Sequence, residues 1–187
     1  MYHVEAKQLK QSYTIDDIYN LPEGERAELI DGSIYYMAPP STRHQDISMD
    51  LCVIIRNYIN SNGGSCKVYH APFAVFINND DTNYLEPDIS VICDRKKIDD
   101  KGCHGAPDWI IEIISPSTKS YDYVTKLSKY MAAGVREYWI VDPDGQSIFV
   151  YHLKDAEYKI KSFTFQDKIK VNIWEDLWID FNEMEHF

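Results

Sequence analysis

Glu112 stands in the middle of the most apolar run of the chain, Trp109-Ile110-Ile111-Glu112-Ile113-Ile114. A carboxylate buried there costs on the order of several kcal/mol unless something offsets its charge. Upstream, Glu86-Pro87-Asp88-Ile89-Ser90-Val91-Ile92-Cys93 sets a second acid, Asp88, at the mouth of another apolar stretch. Two acids on neighbouring strands make a minimal site for a hard divalent cation and for the hydrolysis it supports. The competing reading of Glu112 is a buried salt bridge to an Arg or Lys, as in an ordinary core. Asp108 has the parity to share Glu112's sheet face, yet at about 3.3 Å per residue the two lie roughly 13 Å apart along one strand. A neighbouring strand at about 4.8 Å lets Asp88 meet Glu112 instead. Pro87 cannot donate to a sheet ladder, which suits a strand entrance open to solvent.

Phosphodiester hydrolysis also needs a cation to orient water and offset developing charge. Ile114 and Ser115 follow Glu112, so this strand supplies no lysine. Lys126 lies one element later, at helical spacing from Asp122 and Lys129. It reads either as the missing cation or as a solvated lysine paired with Asp122. Glu28, in the first arm of an early hairpin, is a third candidate acid, with a solvated hairpin glutamate as the alternative.

The elements that must position these groups follow from local pattern. Thr14 with Asp17 three residues on predicts a short capped helix. Ala27 to Met37 is two β-prone runs joined by Asp31-Gly32, a hairpin signal. Between Arg43 and Asn60 the residues Ile47, Leu51, Ile54, Ile55 and Tyr58 recur at helical spacing, and Asn62-Gly63-Gly64 ends the helix. Strands are expected at Lys67 to Ile77, Glu86 to Cys93 and Trp109 to Ser115, with a polar loop from Asp94 to Gly105. A helix from Tyr121 to Ala133 closes on Gly134, which tolerates the left-handed conformation. Arg136 to Val141 is a strand ending in the turn Asp142-Pro143-Asp144-Gly145, followed by strands at Ser147 to Leu153 and Tyr158 to Phe165. The expected architecture is α/β, a mixed sheet with one helix on each side.

With 187 residues, 44% of them hydrophobic and 14 of them Tyr, the chain has the size and content of one globular domain spanning 1–187. No apolar run approaches the roughly 20 residues of a membrane helix, and the basic start of a signal segment is missing, so the expected setting is cytoplasmic, with no membrane. The four cysteines show no C-x-x-C spacing; Cys52 and Cys93 read as small buried thiols, and Cys103 beside His104 as half a zinc pair lacking its match. A net charge of −11 argues against a general nucleic-acid coat protein. The charge is uneven, however: Ser115 to Arg136 carries four basic residues (Lys119, Lys126, Lys129 and Arg136) against one acid. No G-x-S-x-G or His–Cys pair supports a Ser or Cys hydrolase.

Pro87-Asp88, then 23 residues, then Glu112-x-Ile114 resembles the PD-(D/E)-x-K nuclease superfamily with the last position changed. The chain is more closely similar to the Uma-two family of restriction-endonuclease-like proteins. The match rests on Ala27 to Gly32, on Met37 to Pro40 with His44, on Glu86 to Val91, on Pro107 to Thr118, and on Lys126 through Tyr130 to Gly134–Pro143. The resemblance implies a restriction-endonuclease-like core, a mixed central β-sheet flanked by helices, with Mg²⁺ (or Mn²⁺ as substitute) at the strand fork and no organic cofactor. By position, Asp88 and Glu112 would be metal ligands, Lys126 the superfamily lysine moved to the next helix, and Glu28 an auxiliary acid. His44 would bind phosphate or cap the long helix, and Lys129 would join it as a substrate contact. The implied activity is metal-dependent DNA endonucleolysis leaving 5′-phosphate and 3′-hydroxyl ends, by a homodimer that cuts two strands. The alternative is a catalytically silent member of the fold that binds nucleic acid or protein.

Overall fold

The computed structural model describes residues 12–78, 80–115, 122–153 and 159–184. Its frame is a six-stranded sheet in the order β10-β9-β8-β7-β5-β3. These strands are β3 (Lys67–His70), β5 (Ile89–Ile92), β7 (Trp109–Ile113), β8 (Glu137–Asp142), β9 (Ser147–His152) and β10 (Lys159–Thr164). Within this sheet β7 and β8 are parallel and the other neighbours antiparallel, so it is mixed. The parallel pair needs a crossover, which is where the lysine-bearing segment lies.

One helix covers each face, as the pattern predicts. Helix α2 (Thr42–Ser61) lays Ile47, Leu51, Ile55 and Ile59 on Ile89, Val91, Trp109, Ile111 and Trp139. Helix α3 (Leu127–Ala133) packs Tyr130 and Leu127 against the opposite face, with Ile110, Ile114, Tyr138 and Ile140. It ends at Gly134, whose φ of 91° is the left-handed terminus expected there. Its start departs from expectation: Asp122–Lys126 form a π-helical turn, while Tyr121 lies outside the described residues. The strand pattern explains the two faces, since alternate residues point oppositely and both sides of β7 are buried.

Helix α1 (Ile15–Tyr19) starts at Thr14, whose N–H and hydroxyl both donate to the Asp17 carboxylate. The hairpin β1 (Ala27–Ile30) and β2 (Ser33–Tyr36) turns through Asp31 at φ 48° and Gly32 at φ 74°, the pair of positive φ values that a two-residue hairpin loop requires. The strand expected from Lys67 to Ile77 is instead two. After β3, Ala71-Pro72 interrupts the ladder, and β4 (Val75–Phe76) pairs with β6 (Cys103–His104) inside the loop expected to be irregular. The tail adds β11 (Lys168–Lys170) and β12 (Trp178–Asp180), whose Ile169 and Ile179, with Phe181 in the 3-10 turn that follows, close the α2 side of the core.

The cysteines correct the sequence reading. Cys93 is bonded to Cys66 across the β3–β5 pair rather than free. Cys52 and the buried Cys103 are thiols, both pushed by burial up to about 11. Cys103 bonds the Gly105 carbonyl while His104 pairs with Asp99 and stacks on Phe76, so the two do not form half a zinc site. No described helix is long and apolar enough to cross a membrane.

Candidate functional site

The β5–β7 register decides whether the two acids meet. Ile89 faces Ile111, Ser90 faces Ile110 and Val91 faces Trp109, so continuing the pairing by one step sets Asp88 opposite Glu112. The Asp88 N–H lies 3.4 Å from Glu112 Oε2, and the Ile113 N–H donates to Asp88 Oδ2 at 2.7 Å. Each acid is therefore tied to the other's strand. Glu112 is 3% exposed although nothing but isoleucine flanks it in sequence.

Lys126 fills the space above Glu112. The π turn brings its ammonium to 2.9 Å from Glu28 Oε2, 3.1 Å from Glu112 Oε1 and 3.3 Å from Asp122 Oδ1. The solvated-lysine reading is thus excluded by its 5% exposure. Glu28 is likewise buried rather than solvated: its second oxygen accepts the Glu86 N–H at 2.9 Å. Glu86 is itself fixed by Arg26 and by the Tyr84 hydroxyl.

His44 reaches the acids from the α2 side. The helix is capped by Ser41, whose hydroxyl oxygen accepts the His44 N–H at 3.2 Å, so the ring is not the cap and sits 3.1 Å from Asp88 Oδ2. Burial alone would lower its pKa, but the hydrogen bond and charge of Asp88 outweigh burial and raise it. Lys129 does not join the acids in this way; it pairs with Asp31 at the hairpin tip. Asp108 is structural, holding Arg136 at 2.9 Å and the Cys93 N–H at 2.7 Å. Among the described residues of the basic segment, Lys126, Lys129 and Arg136 each hold an acid; Lys119 lies outside the described residues.

Burial, then repulsion from Asp88, Asp122 and Glu28, raises Glu112 well above the ordinary value of 4.5, against the opposing pull of Lys126. Burial works to lower Lys126, but Glu112 and Glu28 lift it well above 10.5. Four acids thus share one ammonium and one imidazole. That excess of acidic groups over cations, on hard oxygen donors, fits a divalent cation. Asp88 and Glu112 would hold it; among the described residues no third His, Cys, Asp or Glu converges with them into a closed metal cage. Such an open donor set suits an ion that keeps water and takes substrate oxygens.

Sequence reasoning missed two members of this cluster. Asp122 was weighed only as a surface partner of Lys126, and Tyr130, whose hydroxyl donates to Glu112 Oε1 at 2.8 Å, was not assigned a role. The i, i+4 spacing of both from Lys126 was the available signal, but only the packing of the π turn shows which way they face.

Comparison with known proteins bears on the fold and the family. A crystal structure titled as a putative nuclease belonging to DUF820, from Anabaena variabilis, superposes with a TM-score of 0.73 at 22% identity, covering 91% of this chain and 96% of that one. The two share the fold. An uncharacterised Synechocystis protein, slr1290, is 30% identical over 149 residues, 79% of this chain and 77% of its own length. Residues 14–182 match the family described as Uma2, putative restriction endonuclease, and the chain belongs to that family.

Proposed function

We propose that this chain is a metal-dependent endonuclease that hydrolyses phosphodiester bonds of DNA. The observation that carries the proposal is the facing pair Asp88 and Glu112, with the Lys126 ammonium delivered to Glu112 from the next helix. A Mg²⁺ ion held by Asp88 and Glu112 would polarise a phosphoryl oxygen and acidify its bound water. Lys126 offsets negative charge beside the pair and keeps Glu112 oriented, a role in which the position of the ammonium matters and its backbone origin does not. Glu28 fixes Lys126 from the hairpin side. His44 donates its Nε2–H to Asp88 Oδ2 and offers a cationic edge to a phosphate; Lys129, paired with Asp31 at the hairpin tip, is the outer substrate contact. Two copies acting together would cut both strands.

Supercoiled plasmid tests the reading directly. Wild-type protein should nick it with Mg²⁺ or Mn²⁺ and not with EDTA, and Glu112→Ala should abolish nicking while its circular dichroism stays native. Metal-independent nicking, or equal cleavage by Glu112→Ala, removes the proposal. One observation favours a silent binding module instead: three acids close on Lys126 Nζ within 3.3 Å, a network that satisfies itself. Under that reading DNA is bound in a gel shift and never cut with either metal.

A further inference from the structure

Glu112 has two oxygens with different neighbours. Oε2 faces the Asp88 backbone, and Oε1 takes both the Lys126 ammonium at 3.1 Å and the Tyr130 hydroxyl at 2.8 Å. Tyr130 is fully buried, so its hydroxyl has no water to compete with Glu112. It lies one helical turn after Lys126, and its ring packs edge-on at 5.1 Å against Tyr138, which fixes the phenol's direction. A glutamate has three side-chain torsions and its carboxylate rotates freely unless held. Lys126 alone cannot hold it, because the same ammonium is shared with Glu28 and Asp122.

We propose that Tyr130 is a positioning residue, whose hydroxyl pins Glu112 Oε1 and so aims Oε2 at the divalent-cation site beside Asp88. This rests on the metal-dependent reading above. The phenol touches neither metal nor substrate; it acts through the carboxylate, as hydrogen-bonding partners behind metal ligands do. A purely structural hydroxyl would matter to folding and not to metal affinity.

The experiment is Mn²⁺ binding by isothermal titration calorimetry on the full chain, wild type against Tyr130→Phe, with Tyr138→Phe as the matched control. Tyr138 is an equally buried tyrosine whose hydroxyl donates to the Asp122 backbone carbonyl at 3.1 Å rather than to a carboxylate. Tyr130→Phe should weaken Mn²⁺ about tenfold to a hundredfold. It should lower kcat for plasmid nicking with KM for DNA unchanged, and Tyr138→Phe should leave Mn²⁺ affinity at the wild-type value. Wild-type affinity in Tyr130→Phe overturns the assignment while leaving the metal site standing. Absence of Mn²⁺ binding by the wild type overturns both. If Tyr130→Phe does not fold, the wild-type Tyr130 hydroxyl proton is followed by NMR: protection from exchange and a shift on adding Mg²⁺ support the role, and no shift at saturation overturns it.

Discussion

Glu137 and Glu112 lie on adjacent strands, β8 and β7, and both are buried acids whose pKa burial pushes upward. Their partners differ in kind. Glu137 accepts the Trp139 indole N–H at 2.7 Å, the Asn172 N–H at 2.7 Å, the Asn172 amide at 2.9 Å and the Ile173 N–H at 2.9 Å. All four donors are neutral, and two are backbone groups of the tail, so Glu137 stitches the C-terminal segment to the sheet. Glu112 is surrounded by Lys126, Tyr130, Asp88, Asp122 and Glu28, groups that carry charge or can. A buried acid whose neighbours are neutral donors is a fastening. One whose neighbours are other acids and a shared cation is crowded by like groups, and that crowding is what an ion or a substrate can answer.

The widest gap between the two glutamates should be in activity. Glu112→Ala should cut Mg²⁺-dependent nicking by about 10³-fold, measured in single turnover, whereas Glu137→Ala should keep the wild-type rate per folded molecule. If both lose activity equally, the distinction fails. In stability the order reverses: Glu137→Ala strands several buried donors and should cost about 3–5 kcal/mol, roughly 10 °C in a thermal melt. Lys126→Ala should fail on both counts, losing nicking and about 3–5 kcal/mol, because it leaves Glu28, Glu112 and Asp122 without their shared cation.

pH separates the roles further. Because the folded pKa of Glu112 is raised, the native state holds a proton that the unfolded chain has released. Stability therefore falls as pH rises from about 4.5 towards the raised value, and metal binding in that window releases a proton. Mn²⁺ affinity should rise with pH there, seen as a buffer-dependent heat in calorimetry; Glu112→Gln should remove the proton release. Lys126 acts oppositely: its stabilisation is complete below 10.5 and is lost as pH rises through its higher folded value. The smallest effect belongs to Lys129→Ala. Its partner Asp31 is well exposed, so urea unfolding should shift by less than about 1 kcal/mol, while DNA affinity should drop at low salt if Lys129 contacts phosphate.

The sequence carried the two strands, the two acids and the hairpin because each is a short-range signal. Asp31-Gly32 admits a tight turn, isoleucines around Glu112 demand burial, and Gly134 ends a helix. The break after β3 was missed because Val75 and Phe76 continue the β-prone pattern past Pro72 into a different sheet. The Cys66–Cys93 bond was invisible since it depends on the register of β3 against β5.

From the amino-acid order alone came the expectation of a chemistry: apolar runs force Glu112 and Asp88 into or beside the core, where two acids suggest hard-oxygen ligands and hydrolysis. Only the tertiary structure decided who meets whom. Strand pairing turned 24 residues of separation into a direct facing of Asp88 and Glu112, and one π turn rotated Lys126 inward instead of into solvent. Those choices rest on register and on a local helical phase, and neither is encoded by any residue without the neighbours it packs against.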